Sequence, residues 1–105
     1  MEKQLFEEII EWQDKTSPKS LAIGKTMYLW KETQELLDAL VHKADVKEVE
    51  DEIADCFMLL AGIAAKLGYS YEELQQIIQN KFDIVQTREW QEPTENGEYY
   101  HVKLK

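Results

Sequence analysis

Between Cys56 and Ala65 the chain reads CFMLLAGIAA, a run with no charged or strongly polar side chain. A membrane-spanning helix needs roughly 18 apolar residues or more, so this run is too short to cross a bilayer. Asp45 and Glu48 stand ahead of it at the spacing of an N-cap and its capping-box partner, and Gly68 follows at a natural helix stop. The spacing therefore predicts a helix from Val46 to Leu67 that is apolar on every side along part of its length. A helix in a small monomer normally keeps one face in water. Covering this one calls for other helices of the chain and for a second subunit, so a homodimer or homotetramer is expected.

The remaining elements follow from helical periodicity. Leu5, Phe6, Ile9, Ile10 and Trp12 predict a helix from Glu2 to Asp14, broken by Thr16, Ser17 and Pro18. A longer helix is expected from Leu21 to Lys43, with Leu29, Leu36 and Leu40 on one stripe and Met27, Gln34 and Asp38 pointing elsewhere. Ser70 and Glu73 repeat the capping signal, and Leu74, Ile77, Ile78, Phe82 and Val85 carry a fourth helix towards Trp90. Pro93 and the Asn96-Gly97 pair then mark turns, and Tyr99 to Lys105 alternates like a short extended tail. The fold class is all-α: an antiparallel four-helix bundle with an extended C-terminal tail, forming one domain over residues 1–105.

Twenty-one acids against 12 Lys and Arg leave a net charge of -9, which speaks against binding a nucleic-acid polymer through its phosphates. A protein this acidic would need metal between itself and a polyphosphate. The lone Cys56 excludes an internal disulfide, and no signal-peptide pattern or membrane-length apolar window occurs, so a cytoplasmic location is expected.

Two acidic pairs stand out from this background, Glu32 with Glu35 and Glu52 with Asp55, each three residues apart within a predicted helix. In so acidic a chain, about four such pairs per hundred positions arise by chance, so spacing alone is weak evidence. Position on the helical wheel is more telling. Glu32 falls between Leu36 and Ala39, and Glu52 between Leu59 and Ile63, while Glu35 and Asp55 take the edges of the same stripes. Carboxylates on core-facing stripes need a partner, and Lys25 is the one cation at comparable depth. Carboxylate oxygens without His or Cys favour a hard ion, Mg²⁺ with Mn²⁺ as a substitute. Glu48, one turn before Glu52, is a candidate outer member.

Other chemistries find less support. The one Glu-x-x-His spacing, Glu98 to His101, sits in the turn-rich tail, which disfavours a di-iron bundle. Cys56 lies in the apolar run as an inert thiol, and no glycine-rich phosphate loop is present. Lys81 and Arg88, seven apart on the predicted fourth helix, and Lys103 and Lys105 in the tail are candidate phosphate-binding cations.

The pattern Glu32-x-x-Glu35, then Glu52-x-x-Asp55, within LWKETQELLDAL and EDEIADCFMLL, resembles the signature of the MazG-like all-α nucleotide pyrophosphohydrolases. NKFDIVQTREW and NGEYYHVK are further similar to the small phage- or prophage-encoded branch described as dATP/dGTP-type pyrophosphohydrolases. The resemblance implies hydrolysis of a nucleoside triphosphate, of deoxy-purine type, to monophosphate and pyrophosphate. It implies that Glu32, Glu35, Glu52 and Asp55 hold Mg²⁺, that Glu35 or Glu32 takes the proton from the attacking water, and that Lys81 and Arg88 hold the phosphate chain. Lys31 departs from the family by standing where a second Glu is common, and Val85 where Asn is common. A related enzyme acting on phosphoribosyl-ATP or a modified base, or a non-catalytic helical oligomer, are the alternatives. Trp12, Tyr28 and Trp30 are candidates for stacking on a base.

Overall fold

A computed structural model describes residues 1–102, which places Lys103 and Lys105 outside the described residues. Among the described residues there are four α-helices: α1 (Lys3–Thr16), α2 (Ala22–Val41), α3 (Val46–Lys66) and α4 (Tyr71–Val85). Among the described residues no single helix is long and apolar enough to cross a membrane. The chain divides into two compact units, Met1–Glu72 and Glu73–Lys105.

In the N-terminal unit α2 and α3 form a helical hairpin, and α1 packs on α3. The hairpin is defined by its caps. At the start of α3, Asp45 Oδ1 accepts from the backbone N–H of Glu48 at 2.9 Å, as the sequence predicts. At its end Gly68, at φ 91°, bonds Ala65 O while Tyr69 N reaches Ala64 O, a double closure that favours glycine. The end of α2 has the same closure with a lysine in the strained place: Lys43 has φ 51°, and Ala44 N bonds Ala39 O at 2.8 Å.

The buried apolar positions of the hairpin are small, Ala39 on α2 and Ala61, Gly62 and Ala64 on α3, so the helices can approach closely, and α2 also buries Lys25 and Glu32. Phe6 of α1 is also buried, and its ring meets Tyr71 at 5.6 Å. The Tyr71 hydroxyl donates to Met1 O and Lys3 pairs with Glu72, tying the start of α1 to the start of α4. Gly62 has a specific cause: a Cβ there would run into the side-chain amide of Gln13. The hydrophobic stripe of α2 is shorter than its periodicity suggests, because Leu29 and Leu36 are half-buried but Leu40 is exposed.

In the C-terminal unit α4 stops at Val85, short of the predicted run towards Trp90. Tighter bonds, Thr87 N to Ile84 O and Arg88 N to Val85 O, end the helix in a turn. Arg88 therefore does not share a helical face with Lys81. Of the expected tail, residues 99–102 are described and extended: Trp90 and His101 form an isolated antiparallel bridge, flanked by Gln91 N to Tyr100 O and Val102 N to Glu89 O. Gly97, at φ 79°, turns the chain between the two arms.

Candidate metal centre

Glu32 is the most deeply buried acid of the structure, at 5% exposure. It reaches that depth because α2 presents it on the side that packs on α3, and there it meets Glu52 and Asp55. One carboxylate oxygen from each of Glu32, Glu52 and Asp55 can be chosen so that all three lie within 4.8 Å of one another. Opposite ligands of an octahedral ion with bonds near 2.1 Å stand about 4.2 Å apart, so a small side-chain adjustment suffices to enclose one.

The electrostatics show how uncomfortable the three are without a cation. Glu52 is pushed up to about 7, first by the proton it would share with Glu32, then by burial and by the charges of Glu32, Glu35 and Asp55. Ionised carboxylates only accept, so that contact becomes a hydrogen bond only when a proton lies between the two. Glu52 Oε2 is a buried oxygen with no hydrogen-bond donor. Burial also raises Asp55, with Glu32 and Asp51 adding to the effect. An orphaned buried oxygen within an all-oxygen donor set fits a hard divalent cation. Cys56 is half-buried beside them. Burial and the same three carboxylates push its thiol up, so it remains protonated and unreactive at neutral pH.

Of the four predicted ligands, the structure thus gathers three tightly. Glu35 stands outside that group and, with Asp38, His42, Glu48 and Glu52, lines an adjoining groove of about 350 Å³. The leucine periodicity points Asp38 elsewhere, yet it shares this groove, since the face α2 turns to it is wider than the stripe of leucines. On the other side Asp55 also lines a cavity of about 460 Å³ with Trp12, Gln13, Lys25 and Tyr28. Gln13 carries no sequence signal, because nothing in α1 marks which of its polar residues faces α3. Lys31 lies with its Nζ 5.7 Å from the centre of the Tyr28 ring, and Trp30 is exposed. Lys81 is exposed and Arg88 half-buried, both in the C-terminal unit.

Residues 5–105 match the family described as dATP/dGTP pyrophosphohydrolase. The chain belongs to this family. Membership in the dATP/dGTP pyrophosphohydrolase family makes it an enzyme, a hydrolase acting on nucleotides. A solved structure of a cyanophage S-2L MazG-like pyrophosphohydrolase, bound to dGDP and three catalytic Mn²⁺ ions per active site, is similar with a TM-score of 0.72. The two are 26% identical, and the match covers 95% of each chain. No curated protein matches the chain significantly. The all-α reading of the sequence and its MazG-like resemblance are both upheld.

Proposed function

We propose that the chain hydrolyses deoxy-purine nucleoside triphosphates to monophosphate and pyrophosphate, with Mg²⁺ as cofactor and Mn²⁺ as substitute. The observation that carries the assignment of the site is Glu52 Oε2, a buried oxygen without a donor, in a cluster with Glu32 and Asp55. The dGDP and Mn²⁺ of the cyanophage protein support the same substrate and ion class.

Glu32, Glu52 and Asp55 would hold one ion, and Glu35 extends the acidic wall towards Asp38 and Glu48. Ions held by these carboxylates would supply positive charge against the phosphate oxygens and lower the pKa of water. Glu35, outside the tight group, would take the proton from the water that attacks the α-phosphorus; Glu32, enclosed by two other carboxylates, is the second candidate. The family resemblance, rather than the placement of the two units, assigns Lys81 and Arg88 to the phosphate chain.

The assay is incubation with Mg²⁺ or Mn²⁺ and each of the common NTPs and dNTPs. The expected result is pyrophosphate release, greatest with dGTP or dATP; release of orthophosphate, or no turnover, would sink the proposal.

The second copy is part of the same reading. Ile53, Phe57 and Leu60 form an exposed stripe on α3, and Ile23, Met27, Trp30, Leu37 and Val41 form another on α2. Spacings of three and four residues, with one step of seven from Trp30 to Leu37, put each set on one face of its helix. Light scattering is expected to give at least twice the 12.4 kDa of one chain; a monomer would refute the assembly.

A further inference from the structure

Lys25 is 7% exposed, an unusual depth for a lysine. Its ammonium has three N–H donors, and among the described residues Nζ finds one acceptor, Gln13 Oε1 at 3.0 Å. No carboxylate pairs with it there. Burial and the charge of Lys66 pull its pKa below the ordinary lysine value, opposed by Asp14. A methionine would fill the same space without that desolvation, so packing alone does not account for a lysine.

Lys25 lines the 460 Å³ cavity with Trp12, Tyr28, Met58 and Leu59, and Asp55 belongs to both this wall and the carboxylate cluster. A nucleotide whose phosphates are held at the cluster thus has its nucleoside within reach of Lys25. Two aromatic side chains and two apolar ones suit a flat neutral base. A phosphate chain would meet one cation and the Asp55 carboxylate. The ammonium is also held in place: Gln13 accepts from it while donating from Nε2 to Met58 O at 3.0 Å, in the space that Gly62 leaves open.

The geometry points to Lys25 as a specificity-determining residue that donates to the adjacent O6 and N7 acceptors of guanine. Adenine presents N7 beside an N6 amino group, a donor facing a donor. The chain would accordingly favour guanine over adenine deoxynucleotides. This inference rests on the nucleotide reading above.

The test uses the full chain with Mg²⁺. It compares pyrophosphate release from dGTP and dATP, and the affinities of dGMP and dAMP by calorimetry, for the wild type and Lys25→Met. The wild type is expected to favour the guanine member of each pair by about tenfold or more, and Lys25→Met to shrink both ratios below about threefold by losing guanine alone. Lys25→Arg, which keeps the donors, should retain the preference. Equal losses for both bases, as a purely structural lysine would give, or an unchanged ratio, overturn the assignment and leave the pyrophosphohydrolase reading standing. Failure of the wild type to release pyrophosphate from any nucleotide overturns both. Should Lys25→Met not fold, the same ratios measured on Lys25→Leu, which also lacks a donor, decide between the same outcomes.

Discussion

Glu52→Gln is expected to lower kcat by about a thousandfold or more, because charge stabilisation by a bound ion is worth several kcal/mol and each 1.4 kcal/mol is about tenfold in rate. The fold should survive. Glu52 is the carboxylate most disturbed by its neighbours, with a buried oxygen that lacks a donor. A glutamine keeps the shape, removes one of three crowded negative charges and offers an N–H to Glu32. Without metal the variant should therefore melt at the same temperature as the wild type or higher, and should bind Mn²⁺ more weakly in calorimetry. Wild-type turnover in Glu52→Gln would remove Glu32, Glu52 and Asp55 as the metal centre.

The second large effect is a stability that depends on pH and metal together. The folded state raises Glu52 from 4.5 to about 7, so it holds a proton that the unfolded chain releases more readily. A raised carboxyl binds more protons folded than unfolded, and stability then falls as pH rises. In metal-free buffer the melting temperature is expected to decline from about pH 4.5 to about pH 7, and Asp55, raised in the same direction, adds to the decline. Metal reverses it. At pH 8 and a hundredfold excess over Kd, linkage predicts a rise of about 10 °C or more for a domain of this size. At pH 5 the proton on Glu52 competes with the ion and the rise should be smaller. A metal-free melting temperature that climbs through this window would mean that the carboxylates do not meet. Glu52→Gln should flatten the metal-free slope, which links the two predictions in one set of melts.

Much of the site is legible in the sequence because of where residues fall on the helices. Leu29, Leu36 and Ala39 stand at helical spacing from Glu32, and Val49, Cys56 and Leu59 from Glu52, and a helix converts that spacing into burial on one face. The caps are legible for a similar reason: Asp45 with Glu48, and Gly68, act through local backbone bonds that need no tertiary partner. Arg88 is not legible. Nothing in Gln86-Thr87-Arg88-Glu89 breaks a helix by composition, but the tight turn over 86–88 ends α4 at Val85, so Arg88 lies off the helical face that carries Lys81. Asp38 and Leu40 depart from expectation for a related reason, since a wheel gives an angle and not the width of the contact.

From the sequence alone came the all-α class, the acidic pairs and the family resemblance, all properties of local periodicity and spacing. Only the tertiary structure decided that Glu32, Glu52 and Asp55 form the tight group while Glu35 stands beside it, because that depends on the register of α2 against α3. The same register, with α1 laid over Gly62, brings Gln13 to Lys25 and opens the cavity next to Asp55. Helical spacing sets which residues share a face; which faces meet, and at what offset, is set by close packing of small side chains distant in sequence.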